Sequence, residues 1–282
     1  MIIQEGIFYV NSLGEAHSEI LSRTKISSGI VNAEASTSQK YCDGAIIPKQ
    51  PWLSARKDIL SKILLNEKKI SQGSWIDIIS IPENLLDPFD LLHQSSRNGR
   101  GEDEINSLIY ERPEFRNAIQ NIVEYLESIN PNNRCHNNGA GIRANPPGCL
   151  TVTQGKDRSC YIGLHLDSWY RHPLNERHLS PNRVCVNLGF QDRYLIFINL
   201  SLTQISEMIA SNSQRNKTPS RHELDLLSPF AELNAEYPVI SISIKPGEAY
   251  IAPTENFFHD GSTLGNDCTD VQLTILGEFF TG

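Results

Sequence analysis

No run of apolar residues in this 282-residue sequence approaches the roughly 20 needed for a helix to span a bilayer, which excludes a conventional transmembrane helix. The opening stretch, MIIQEGIFYVNSLGEAH, has no basic segment ahead of an apolar one and carries Glu5 early. A secretory leader is therefore not expected, and a cytoplasmic location is. The six cysteines, at 42, 135, 149, 160, 185 and 268, form no CxxC pair. A structural zinc site built from them is not expected, and they are expected as reduced thiols rather than disulfide partners. Positive charge is in deficit, with 25 Lys and Arg against 33 Asp and Glu and a formal net charge of −8. A nucleic-acid partner needs a basic surface that this balance does not supply. Internal repeats and low-complexity tracts are also missing. What remains is an ordinary globular composition, 39% hydrophobic, with a small-molecule partner as the default and an oligomeric state on which the sequence is silent.

The first half reads as mainly helical. In EFRNAIQNIVEYLESI (114–129), Phe115, Ile119, Ile122, Leu126 and Ile129 fall at spacings of four, three, four and three, one apolar stripe on a helix. PWLSARKDILSKILLNEKK (51–69) repeats the pattern with Leu53, Ile59, Leu60, Ile63 and Leu64. GIFYV near the start is a candidate strand joining the main sheet. The segment 131–148, PNNRCHNNGAGIRANPPG, is too rich in Asn, Gly and Pro for regular structure and reads as a connection.

After about residue 149 the texture changes to short β segments: LTVTQ, SCYIGLHLD, RVCVNLG, RYLIFINLS, PVISISI, EAYIAP and VQLTILGEFF. Turn residues punctuate them, which predicts a sandwich or barrel rather than a parallel sheet. A polar insert with helices interrupts the series at about 205–236. The division expected is a helical supporting region over 1–148 and a β core over 149–282.

One of these strands carries an unusual pattern. From Tyr161 to Asp167 the residues alternate, so Ile162, Leu164 and Leu166 share one face while Tyr161, His165 and Asp167 share the other. A carboxylate on such a face needs something positive beside it. His259 in ENFFHDGST, reached from KPGEAYIAP through a Pro-Gly turn and a short strand, is the best third partner. Two histidines and one carboxylate on one side of a metal leave the opposite positions open, the facial arrangement of non-haem Fe(II) oxygen chemistry. Taken singly, the H-x-D tripeptide is nearly uninformative among eight histidines, and His259 reads equally as a core or loop residue.

On HLD at 165–167, PGEAYIAP and His259, residues 149–282 resemble the Fe(II)- and 2-oxoglutarate-dependent oxygenases. The resemblance implies an α+β protein whose core is a double-stranded β-helix (jelly roll) supported by N-terminal and inserted helices. It implies Fe(II) held by His165, Asp167 and His259, with 2-oxoglutarate and O2 as cosubstrates, and succinate and carbon dioxide as by-products. The substrate class expected is a small molecule such as an amino acid or natural-product intermediate. The carboxylate of Asp167 favours hydroxylation, desaturation or ring formation over halogenation, since related halogenases lack it.

The sequence departs from many members in one respect: no Arg or Lys follows His259 to bind the far carboxylate of 2-oxoglutarate. Some branches place a basic residue at the start of the fourth core strand, a position matched by Arg193, with Arg183 in reserve. The alternative for Arg193 is an exposed charge at a strand edge. Tyr161 is a further candidate for the cosubstrate, or else a barrel-filling tyrosine. Ser168 and Trp169 are candidates for the mouth of the site, and Arg143 for an anionic substrate or an ordinary surface position. Two rival readings remain: a cupin-type iron dioxygenase needing no 2-oxoglutarate, and a non-catalytic metal-binding jelly roll.

Overall fold

In the computed structural model, residues 3–33, 39–65, 71–136, 140–212 and 226–280 are described. The chain is a mixed α+β protein organised on two large sheets. A seven-stranded sheet runs in the order Phe8–Val10, Trp75–Ser80, Glu248–Ala252, Asn182–Asn187, Asp270–Glu278, with Gly141–Asn145 and Arg134–Cys135 both on the far side of the last strand. A five-stranded sheet runs His259–Ser262, Arg193–Phe197, Ile240–Ile244, Thr24–Ile26, Leu53–Ser54. Between residues 182 and 278 the chain passes from the larger sheet to the smaller and back repeatedly, and every pairing among these six strands is antiparallel. A three-stranded sheet, Ile30–Asn32, Tyr41–Pro48 and Tyr161–Gly163, completes the β structure of the described residues.

Side-chain parity explains why the larger sheet is buried on both faces. Val184, Val186, Ala249, Ile251, Val271, Leu273 and Ile275 point to one side and pack with Leu92, Ile105, Phe115, Ala118, Ile122 and Leu126. The last four of these lie on the stripe of helix Glu114–Ser128, and the first two on helices Asp90–Arg97 and Glu102–Glu111. Cys185 and Tyr250, at alternate positions, point to the other side and share a core with Leu195, Phe197, Ile240, Ile242 and Ile244 of the smaller sheet. The interior between the sheets therefore receives Arg183, Cys185 and Asn187 from one strand and Gln272 from its neighbour, opposite Asn187.

Several expectations need correction. Residues before 149 do more than supply helices, since strands from this region lie in both large sheets. WIDIIS at 75–80 in particular pairs with Glu248–Ala252. Second, the alternating strand does not run from 161 to 167. It stops at Gly163, whose φ of +72° is a left-handed conformation, and a Cβ there would lie 2.4 Å from the Ile46 carbonyl oxygen. Third, Cys42 and Cys160 are joined by a disulfide, whereas Cys135, Cys149, Cys185 and Cys268 are free. Disulfides belong mainly to oxidising compartments, so the cysteines lend no support to a cytoplasmic location. The helix expected over 51–69 forms only at Lys57–Ile63, with 66–69 outside the described residues. The insert contains helices Leu202–Asn212 and Leu227–Leu233, with 213–225 outside them. Among the described residues no helix is long and apolar enough to cross a membrane.

A buried ion cluster ties the N-terminal helix His17–Arg23 to both sheets. The Arg23 guanidinium donates to both oxygens of Glu248, at 3.0 and 2.9 Å, to Glu15 at 2.6 Å and to the Ser243 carbonyl at 3.2 Å. Removing one partner of such a pair strands the other charge. Arg23→Met is therefore expected to lower unfolding free energy by about 3–5 kcal/mol, read from urea denaturation.

Asp77 is also buried. Burial pushes its carboxyl up to about 6, against hydrogen bonds from the Ser12 and Ile78 amides that pull it down. The folded chain thus holds this proton more tightly than the unfolded chain, whose Asp titrates near 4. Stability contributed by Asp77 falls as pH rises from about 4 to about 6, by about 3 kcal/mol in total. Asp77→Asn keeps the acceptor and removes that slope. The difference in urea midpoint between variant and wild type should grow in the variant's favour across this window and be constant above it.

Candidate metal centre

The turn at Gly163 redirects the chain so that Leu164 and Leu166 enter the hydrophobic core while His165 and Asp167 point the other way. His165 then meets His259 across an isolated antiparallel bridge. The His165 amide donates to the His259 carbonyl at 3.0 Å, and the His259 amide to the His165 carbonyl at 2.9 Å. The two imidazoles stand with centroids 4.9 Å apart. Asp167 is held by its own amide, which donates to the Thr254 carbonyl at 3.2 Å.

Three donor atoms converge as a result. Asp167 Oδ1 lies 3.8 Å from His165 Nε2, Oδ2 lies 3.7 Å from His259 Nε2, and one ligand atom from each residue falls within 4.8 Å of the others. Each Nδ1 faces a main-chain carbonyl, Gly163 at 3.1 Å for His165 and Phe257 at 3.3 Å for His259. A carbonyl accepts only, so Nδ1 carries the proton and Nε2 keeps its lone pair. The buried atoms Asp167 Oδ2 and His259 Nε2 have no hydrogen-bond partner. Ligands at about 2.1 Å from one ion are separated by about 4.2 Å at most, a limit that the two contacts of the Asp167 carboxylate with the histidines meet.

Protonation states agree with this. Burial raises the Asp167 carboxyl, but the Arg183 guanidinium and then the two imidazoles outweigh it and hold it at about 2. Burial lowers His259 to about 3, against the pull of Asp167 in the other direction. At neutral pH the acid is ionised and the His259 imidazole neutral, the forms a metal requires.

Both candidate arginines lie in the interior. Arg183 Nε is 3.3 Å from Asp167 Oδ2, an ion pair not aligned as a hydrogen bond. Arg193 is 2% exposed, which rules out a solvated strand edge. Its Nη1 donates to the Cys185 thiol, and its Nε lies 3.7 Å from Asp270 Oδ1 with no hydrogen-bond partner on either atom. The register pairs Leu195 with Gly261 and Phe197 with His259, so Arg193 projects from the same face as His259. A Cβ on Gly261 would lie 2.9 Å from Arg193 Nη2, so the glycine leaves the guanidinium its space.

The remaining candidates are more dispersed. The Tyr161 hydroxyl meets the Cys149 thiol at 3.6 Å and its ring packs on Tyr41. Ser168 and Trp169 are exposed on the loop directly after Asp167, and Arg143 is exposed on strand Gly141–Asn145. Sequence reasoning did not single out Asp270, the partner of Arg193, although parity along DVQLTIL places it on the inner face with Gln272. Nor did it find Glu255, whose carboxylate accepts the amides of Trp169, Tyr170 and Arg171; nothing in ENFFH signals that contact.

No protein-family model and no curated protein matches the chain. Among solved structures it is similar to the Kdo hydroxylase KdoO, a non-heme Fe(II) alphaketoglutarate dependent dioxygenase. The cobalt(II) complex gives 14% identity over 73% of this chain and 79% of that one, with a TM-score of 0.36. The complex with alphaketoglutarate and Fe(III) gives 14% identity over the same shares, with a TM-score of 0.32. The likeness is distant.

Asp167→Asn preserves shape but removes the anionic ligand. It is expected to weaken Co(II) binding by more than about 100-fold in calorimetric titration, beyond the 10–100-fold typical of residues that merely support ligands. Unaltered affinity in a folded variant would remove Asp167 from the site.

Proposed function

We propose that the chain is a non-haem Fe(II)- and 2-oxoglutarate-dependent oxygenase that hydroxylates, desaturates or cyclises a small molecule. On this reading residues 149–282 form a double-stranded β-helix and 1–148 a supporting region that lends strands to it. The passage of successive antiparallel strands between two sheets supports the fold assignment.

The observation that carries the functional reading is the pairing of a two-histidine, one-carboxylate cluster with two inward-facing arginines, Arg193 buried and Arg183 partly so. Arg183 with Asp167 and Arg193 with Asp270 form two pairs whose charges cancel. A divalent cation between His165, Asp167 and His259 would add two positive charges to a poorly solvated interior. A dianion offsets them, and 2-oxoglutarate is a dianion able to chelate iron at one end and meet a guanidinium at the other.

Iron bound with 2-oxoglutarate and O2 supplies an oxidative decarboxylation that releases succinate and carbon dioxide and drives oxidation of a C–H bond. The protein's own groups prepare for it. His165 and His259 present Nε2 lone pairs fixed by their carbonyl contacts. With iron bound, Asp167 would supply the carboxylate ligand whose absence in related enzymes accompanies halogenation. Arg193, with an unused donor at Nε and space over Gly261, is assigned to the far carboxylate of 2-oxoglutarate, while Arg183 orients Asp167. Tyr161 is the less favoured cosubstrate contact, since its hydroxyl is engaged by Cys149. Trp169, Ser168 and Arg143 are left as substrate contacts at the exposed rim, with no nucleic-acid or membrane partner proposed.

With Fe(II), 2-oxoglutarate and oxygen, the protein should release succinate, and a screen of amino acids should accelerate it. Losing a charge-assisted carboxylate contact is worth about 1.5–3 kcal/mol, so Arg193→Ala should raise the 2-oxoglutarate KM by about 10–100-fold. Gly261→Ala should act in the same direction by crowding the same guanidinium. An unchanged KM in Arg193→Ala would pass the role to Arg183. Oxygen uptake with iron and substrate alone would instead favour a cupin-type dioxygenase. Tightly held zinc with no oxygen uptake would favour a non-catalytic metal-binding protein.

A further inference from the structure

Glu255 sits in the turn that leads from strand Glu248–Ala252 to His259, and its side chain is 2% exposed. A buried carboxylate is costly unless paired and hydrogen-bonded, and here the compensation comes from one short piece of chain. Oε1 accepts the Trp169 amide at 3.1 Å and the Tyr170 amide at 3.0 Å, and Oε2 accepts the Arg171 amide at 3.2 Å and Arg177 Nη1 at 3.1 Å. Three consecutive N–H groups thus converge on one anion. The convergence needs Arg171 at φ +54°, a left-handed conformation that side-chain-bearing residues rarely adopt and that persists only when surrounding contacts enforce it.

The placement of this clamp is informative. Its amides begin two residues after Asp167, and its carboxylate lies four residues before His259. The two histidines are already joined by a pair of main-chain hydrogen bonds, whereas Asp167 has a single main-chain bond, to Thr254. We infer that Glu255 is a positioning residue for the metal centre: it pins the chain leaving Asp167 to the chain entering His259 and so sets the carboxylate's place relative to the histidine pair. The inference rests on the metal-binding reading above. Nothing in it requires Glu255 to touch the ion.

Co(II) titration of the full-length protein, followed by calorimetry and by the visible cobalt absorption, tests it. Glu255→Gln keeps the size of the side chain but turns an N–H2 group toward donors. The variant is expected to bind Co(II) about 10–100-fold more weakly than wild type, with a changed cobalt spectrum at saturation. A merely structural role would lower the melting temperature and leave affinity and spectrum of the folded protein as in wild type, and that result would overturn the inference. Hydrogen exchange on wild type covers the case of a variant that does not fold. The amides of 169–171 should be protected without metal and further protected with Co(II); exchange at open-loop rates in both states would refute the clamp. Wild type that binds no cobalt yet protects these amides would sink the metal reading itself while leaving the clamp in place.

Discussion

Two main-chain hydrogen bonds between His165 and His259 hold the candidate site together. They join the chain just beyond Gly163 to the first residue of a strand in the smaller sheet, and they do so at the two residues whose side chains must meet. Because the constraint acts on backbone, the imidazoles are placed before any ion arrives. The carbonyls of Gly163 and Phe257 then choose the tautomer, and Asp167, two residues on, closes the group. Everything else in the interior adjusts to the charge this creates: Arg183 faces Asp167, Arg193 faces Asp270, and the hydrophobic core of the smaller sheet excludes water behind them.

The interior is polar at some expense. Two guanidiniums, two carboxylates and a thiol occupy space that aliphatic side chains would fill with less penalty. Several of their atoms, Arg183 Nε, Arg193 Nε, Asp270 Oδ1 and Asp167 Oδ2, have no hydrogen-bond partner. Unsatisfied buried donors and acceptors grouped in this way call for an explanation, and a polar partner is one. The apolar faces of the same strands carry the stability. Val184, Val186, Leu273 and Ile275 lie under a layer of helices and make no contribution to the site beyond holding its floor.

Much of this could be read from the chain because a strand's two-residue period is simple. RVCVN announces one polar face and one apolar face, whereas RYLIF is apolar on both, so the sequence left Arg193 open between a site residue and a strand-edge charge. H-x-D and the distal histidine were recognisable from residue type and local turn signals, and they do come together. What stayed hidden depends on contacts distant in sequence. Gly163 ends its strand because the backbone of Ile46 lies against it, and no local pattern reports that neighbour. Cys42 and Cys160 are 118 residues apart and carry no spacing motif. Glu255 resembles any surface glutamate until three amides from another loop are seen around it. The strand at 75–80 was overshadowed by stronger helical stripes on either side.

The placement of the early strands also bears on how the chain is made. Thr24–Ile26 pairs with Ile240–Ile242, Trp75–Ser80 takes its antiparallel partner from Glu248–Ala252, and Gly141–Asn145 waits for Asp270–Thr274. During synthesis these segments emerge long before the edges they join, and their unpaired amides and carbonyls must be kept apart from other chains in the meantime. Such wide separation slows folding and lengthens exposure of sticky intermediates. A nascent polypeptide of this design therefore spends longer with open strand edges than one whose strands pair with near neighbours in sequence.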